Sequence, residues 1–208
     1  MDAAGEKSND YHFITHWRVQ GDIDQVAQIL SDAPGLARWW PAVYLDVQQL
    51  EPGDAHGIGK YVELFTKGWL PYTLRWRFRV TEADHPRGFS IVATGDFEGR
   101  GIWTLAQDGL WVDVVYDWKI RAEKPLLRYG SFIVKPIFAA NHRWAMAKGE
   151  ESLRLELARR GAASPEERAR IPNPPAPTTL RPLRLAATAV LAVALLRLAV
   201  RALIARRR

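Results

Sequence analysis

Residues 72–80, YTLRWRFRV, alternate without a fault. Tyr72, Leu74, Trp76, Phe78 and Val80 fall on one side of an extended chain; Thr73, Arg75, Arg77 and Arg79 fall on the other. Successive side chains of a strand point to opposite faces, so this stretch predicts an antiparallel strand with one dry and one wet face. Residues 110–121, LWVDVVYDWKIR, repeat the pattern, with Val112, Val114, Tyr116, Trp118 and Ile120 against Asp113, Asp117, Lys119 and Arg121. Segments 59–67, 88–95 and 100–107 lie between and around them, separated by short Gly, Asp and Pro turns. Strands this close together, with no room for crossover helices, predict a meander.

Upstream, residues 11–20 place Phe13, Trp17 and Val19 at even spacing, a further strand broken by Gly21. Asp22 suits the N-cap of a helix over residues 22–30, in which Ile23, Val26, Ala27 and Leu30 recur at helical spacing. A second short helix over residues 33–40 stops before Pro41, a strand follows over 42–50, and 51–59 is a loop with Pro and three glycines. Downstream, Pro136 fits the first turn of a long helix that runs to Arg160. Ile137, Ala140, Trp144 and Ala147 form one apolar stripe on it, with Leu153 and Leu157 on a neighbouring stripe. Such a helix needs an apolar surface, and the sheet face with Trp76 and Tyr116 is the large one available. The expected class is α+β: a curved antiparallel sheet of about six to seven strands around a long C-terminal helix, with space enclosed between them.

Four stretches carry a family resemblance: Trp39-Trp40-Pro41 after the short helices, GDFEGRGIW (Gly95–Trp103), VVYDWKI (Val114–Ile120) and NHRWAMAKGEESL (Asn141–Leu153). Over residues 10–160 the chain resembles the START/polyketide-cyclase superfamily, the SRPBCC-type helix-grip fold. That resemblance implies a hydrophobic cavity for lipids, sterols, polyketides or similar ligands. It implies no shared reaction, since one fold hosts many functions.

The residues expected to line the cavity are Leu74, Trp76, Phe78, Trp103, Tyr116, Trp118 and Trp144. Nine tryptophans, all before residue 161, suit either a wide apolar interior or a lined hollow. Three residues are candidates for chemistry. Glu63 acts as a general acid or base if it faces inward, where desolvation raises its pKa; facing outward it is an ordinary solvated carboxylate. Tyr116 belongs to the inward set, and His142 lies on the closing helix. Whether the domain is an enzyme stays open: a binding module is the first expectation, a cyclase or dehydratase of polyketide type the second, and an assembly factor with a filled cavity the third. There is no cysteine, His12 and His16 lack a third ligand, and Gly57–Lys60 precedes a strand instead of a helix; no metal, cofactor or phosphate loop is expected. Arg75, Arg77 and Arg79 read as a solvated face with acidic cross-strand partners, or as a patch for anionic lipid.

The rest of the chain differs in character. Residues 1–9 are polar and lack the apolar stretch of a signal peptide, 161–180 form a Pro/Ala linker, and 181–208 form an apolar helix with arginines at both ends. The segment from 161 onward carries nine arginines and two glutamates, so it accounts for all of the whole-chain charge of +6. The basic balance is therefore no sign of nucleic-acid binding by the front domain. Residues 185–196 are uncharged, and Arg197 and Arg201 interrupt the apolar run beyond them. Apolar residues contribute roughly −0.3 to −0.6 kcal/mol each to insertion and a central Arg costs about 2.5–3.5 kcal/mol, which brings residues 185–205 close to balance. Both a transmembrane helix and a helix lying in the interface are compatible with that, as is a helix on a partner protein. In the two membrane readings Leu191, Leu195 and Leu196 meet lipid, while Arg181, Arg184, Arg206, Arg207 and Arg208 meet headgroups. The expectation is a cytoplasmic domain held at a membrane by its tail, with a small hydrophobic molecule or lipid as ligand.

Overall fold

The meander forms as the alternation dictates. The structure is a computed structural model that describes residues 10–122 and 131–179. Its elements, in chain order, are β1 (Asp10–Gln20), α1 (Ile23–Ser31), α2 (Leu36–Trp39), β2 (Tyr44–Glu51), β3 (Tyr61–Lys67), β4 (Thr73–Asp84), β5 (Gly88–Gly95), β6 (Phe97–Asp108), β7 (Trp111–Ala122), α3 (Ser131–Gly161) and α4 (Pro165–Arg170). All seven strands join one antiparallel sheet in the order β1-β7-β6-β5-β4-β3-β2. Strands β2 to β7 follow one another by hairpins, and β1 closes the far side by pairing with β7, Phe13 opposite Trp118 and Trp17 opposite Val114. This is the α+β helix-grip architecture, a curved sheet with the long helix α3 set against it.

The faces follow the pattern. Leu74, Trp76, Phe78 and Val80 of β4 are buried, as are Val112, Val114, Tyr116, Trp118 and Ile120 of β7. On the outer face Arg77 Nε donates to Glu63 at 2.6 Å, and Arg79 pairs with Glu51 at 2.7 Å. Arg75 lies 4.4 Å over the Phe65 ring. Asp22 caps α1, its Oδ1 accepting from the backbone N–H groups of Asp24 and Gln25.

The long helix departs from expectation in two ways. It begins at Ser131, so Pro136 lies inside it and not in its first turn. Its buried side also differs over the first half, while Leu153 and Leu157 are buried as expected. Ile137 is 42% exposed, whereas Phe138, Asn141, Met146, Ser152, Leu153, Glu156 and Leu157 are buried. Gly149 faces the sheet side too, since a Cβ there would fall 2.3 Å from the Trp40 ring. The inward stripe thus mixes apolar, small and polar residues. Two of the polar ones are bonded: Asn141 Oδ1 accepts from Leu70 N at 3.2 Å, and Glu156 accepts from Arg38 Nη1 at 2.9 Å and, within the helix, from Arg160 Nε at 3.0 Å, whereas Ser152 Oγ has no partner among the described residues. Rings at the N-terminal half complete the contact, with Phe138 4.6 Å from Tyr11 between centroids.

The segment expected as a linker is not featureless. Ser164 caps α4 through Glu167 N, Arg168 Nε donates to Arg159 O, and Arg159 also bonds to Pro172 O. The chain as far as Pro177 clusters with the sheet and helices as one compact unit. Residues 1–9 and the tail at 181–208, including every position expected to meet membrane, lie outside the described residues. No helix among the described residues is long and apolar enough to cross a membrane.

Candidate functional site

Five of the seven expected lining side chains meet in one aromatic mass on the concave face. Trp103 and Tyr116 are directly opposite on β6 and β7, and their rings stack at 4.0 Å and 16°. Trp118 stacks on the other side of Tyr116 at 5.5 Å, and Trp76 tilts against Trp118 at 5.7 Å. Trp76 Nε1 donates to Thr66 Oγ1 at 3.1 Å, which fixes its orientation. Phe78 lies 6.3 Å from Trp76. Leu74 is buried beside them, but Trp144 is only half-buried and packs on the margin of the core.

These rings fill most of the hollow they were expected to wall. The cavity between them and α3, bounded by Trp76, Tyr116, Trp118, Asn141 and His142, holds about 90 Å³. A second, between Trp103, Tyr116, Trp40 and Phe78, holds about 40 Å³. Neither reaches the roughly 300–1,000 Å³ of small-molecule sites. The expectation of a large hollow under α3 is therefore corrected. Stacked indoles and phenols occupy the volume that smaller side chains would leave open.

The roomy cavity lies further along the same inner face, away from α3. It holds about 640 Å³ between α1 and α2 on one side and β4, β5 and β6 on the other. Leu30, Leu36, Phe78, Val80, Phe89 and Leu105 supply apolar walls, and Asp54, His56, Lys60 and His85 ring its mouth. The rim is held in place locally. Asp54 Oδ1 accepts from the backbone N–H groups of His56 and Ile58, both at 2.9 Å, and Lys60 Nζ donates to Ser31 O at 2.9 Å. Leu30, Leu36, Phe78 and Phe89 wall both this cavity and the 40 Å³ one. Trp40, Tyr44, Trp76 and Tyr116 in turn wall both of the inner two. The three cavities thus follow one another along the inner face, each sharing wall residues with the next.

The three candidates for chemistry separate. Glu63 is on the outer face of β3, paired with Arg77, because Val62, Leu64 and Thr66 take the inward positions. It has no access to the cavities and leaves the set. His142 lines the innermost cavity. Its ring stacks on Phe13 at 4.2 Å and its Nε2 is 3.5 Å from Thr15 Oγ1. Burial, helped by the charge of Arg143, pushes its pKa down to about 4, so the imidazole is neutral at pH 7. Tyr116 lines both inner cavities, and burial, helped by the neighbouring Tyr44, raises its phenol well above the ordinary value. His142 and Tyr116 thus share a cavity: one is a neutral acceptor or weak base, the other a protonated donor.

Sequence reasoning missed Tyr44, Phe89 and Leu105. Phe89 had a readable signal, since Phe89, Ile91 and Ala93 alternate inward along β5. Tyr44 had none, because β2 is a half-exposed strand with irregular register against β3. Among the described residues no three His, Asp or Glu side chains gather as metal ligands.

Comparison with known proteins gives fold and nothing finer. No protein-family model and no curated protein matches the chain. Solved structures do. The Zhui aromatase/cyclase from Streptomyces sp. R1128 superposes with a TM-score of 0.60 at 18% identity, over 74% of this chain and 97% of that one. A protein from Thermus thermophilus gives 0.55 at 17% identity, over 69% and 97%. A START superfamily protein from Mycobacterium smegmatis gives 0.54 at 14% identity, over 70% and 96%. With its seven-stranded meander, its β1–β7 closure and its long C-terminal helix, the chain has the START/polyketide-cyclase fold of the SRPBCC type.

Proposed function

We propose that the domain binds a small, largely apolar molecule in the series of cavities that opens between α1, α2 and the β4–β5–β6 face. The observation that carries this reading is the 640 Å³ cavity with Leu30, Leu36, Phe78, Val80, Phe89 and Leu105 on its walls. Its volume suits a small ligand, and its walls supply affinity by apolar burial at roughly 25 cal/mol per Å². The uncharged run at 185–196 and the arginines that flank it support a tail that holds the domain at the cytoplasmic face of a membrane.

Mass spectrometry of an organic extract of the purified full chain tests the binding reading. An apolar molecule released from the native chain and absent from a Val80→Trp variant supports it, because the indole fills the cavity. Equal recovery from both, or an empty native chain that also fails to take up added apolar probes, sinks it. Co-sedimentation with anionic vesicles tests the tail: the full chain pellets and a chain ending at Pro177 stays in solution.

A second reading, a cyclase or dehydratase acting on a polyketide-like substrate, is favoured by one observation. A neutral buried imidazole, His142, and a buried phenol, Tyr116, face the same cavity. The solved aromatase/cyclase has the same fold. Turnover of a linear polyketide mimic that is lost in His142→Gln, with the fold intact by circular dichroism, would establish it.

A further inference from the structure

The innermost part of the cavity series is walled by aromatic rings, yet two hydroxyls there, besides the buried Trp40 Nε1, have no protein partner. Tyr44 enters from the start of β2 and Tyr116 from the middle of β7, and both wall the 90 Å³ and the 40 Å³ cavities. Among the described residues neither hydroxyl makes a hydrogen bond. Three other polar side chains here are engaged: Thr66 accepts from Trp76, Asn141 accepts from Leu70 N, and Lys67 has a partner of its own. Neither belongs to the fully buried unpartnered side-chain atoms, so both open on the cavity space, where a hydroxyl left unmet costs free energy. Two at one cavity point to something that meets them there.

The geometry points to a ligand carbonyl: we propose that Tyr44 and Tyr116 form a two-donor seat for one neutral oxygen at the leading end of an apolar guest, whose body lies toward the 640 Å³ cavity. This rests on the binding reading above and specifies the ligand's class. Each phenol has one proton to give, and a carbonyl oxygen has two lone pairs to receive them. Both phenols stay protonated at neutral pH, since burial raises both. A carboxylate fits less well, because a buried anion needs a free cation and the lysine on this wall is already occupied. The neighbouring faces of Trp76, Trp103 and Trp118 suit a flat or slender apolar body behind the oxygen. Phe78 and Phe89 stand between this space and the outer cavity, each lining both sides.

Two probes of one length test it on the full chain: 2-nonanone labelled with ¹³C at its carbonyl, and nonane. The expected result is that both bind and that the bound carbonyl resonance moves downfield of its position in an alkane solvent, as a hydrogen-bonded carbonyl does. Tyr44→Phe and Tyr116→Phe each weaken the ketone by about three- to tenfold, leave nonane unchanged and return the resonance toward the alkane value. Phenylalanine keeps the ring packing, and the nonane arm reports any variant that fails to fold. If the two probes weaken in parallel, or the carbonyl resonance is the same in the native chain and both variants, the two-donor seat is wrong while the cavity reading stands. If neither probe binds the native chain, the binding reading falls and this inference falls with it.

Discussion

Gly101 of β6 lies directly beneath the side chain of Tyr116: a Cβ at Gly101 would fall 2.6 Å from the Tyr116 hydroxyl oxygen. The same Cβ would meet Trp118 Cε3 at 2.8 Å. The missing side chain is what lets the Tyr116 ring lean across β6 and stack between Trp103 and Trp118. Glycine in a strand interior weakens the strand and often marks a close approach, and here the approaching group is the polar wall of the inner cavities.

Gly101→Ala therefore displaces the stack. The extra methyl overpacks a filled interior, with an expected loss of about 1–3 kcal/mol in urea unfolding at pH 7. It also moves the Tyr116 hydroxyl, so binding of a carbonyl probe weakens more than binding of an alkane. Unchanged stability would show that the rings have slack that their contacts do not suggest.

Glu156 on α3 is 3% exposed and charged. Burial alone pushes its carboxyl up, but hydrogen bonds from Arg38 and Arg160 outweigh that and hold it below the ordinary value of 4.5. A carboxyl depressed in the folded state stabilises above its unfolded pKa, and that contribution fades as pH falls through the folded value. Glu156→Gln is expected to cost about 1–3 kcal/mol at pH 7, since Arg38 is largely exposed and rehydrates when freed. The difference between native and variant in urea midpoint should shrink as pH falls below 4.5 and through the lowered folded value. A constant gap across that range would assign the loss to packing and not to charge.

Phe89 separates the outer cavity from the next one inward and stacks on Trp103 at 6.3 Å. Phe89→Ala joins the two spaces. The expected outcome is a larger gain for pyrene than for naphthalene in fluorescence titrations, with a stability loss of about 1–3 kcal/mol because the ring is only partly buried. Equal changes for the two probes would mean that the two spaces stay separate when the ring is gone.

Legibility in the sequence followed periodicity. β4 and β7 alternate cleanly, so their faces were readable residue by residue, down to the acidic partners of Arg77 and Arg79. The meander followed from the short turns and the helix-grip from the family resemblance, whereas the β1–β7 pairing had no local signal. Helix α3 was harder, because its buried stripe includes Asn141, Gly149, Ser152 and Glu156, which an apolar pattern cannot mark; Ile137 and Ala147 mimicked a stripe that faces outward. The site was least legible. Inward-facing aromatics could be named, but whether Trp76, Tyr116 and Trp118 line a space or fill it depends on contacts between strands far apart in the chain. Filling won at the helix, and the space moved to the side where α1 and α2 meet Val80 and Leu105.

His142 supplies a pH dependence that reaches closer to neutrality than that of Glu156. Its imidazole is held neutral by burial, with a folded pKa of about 4 against an ordinary value of 6.5. Above pH 6.5 both folded and unfolded states leave it neutral and its contribution is complete. As pH falls from 6.5 to about 4 the unfolded chain takes up the proton and the folded one does not, so stability declines through that window by up to about 3 kcal/mol and levels off below it. His142→Gln removes the titration. Urea unfolding of native and variant chains between pH 7.5 and pH 4, at intervals of about half a unit, should give curves that diverge in the direction of a steeper acid loss for the native chain. The Cε1 proton of His142 should titrate near pH 4 by NMR. A resonance that titrates near 6.5 would place the ring in contact with water, and the cavity wall formed by His142, Asn141 and Tyr116 would then have to open in solution.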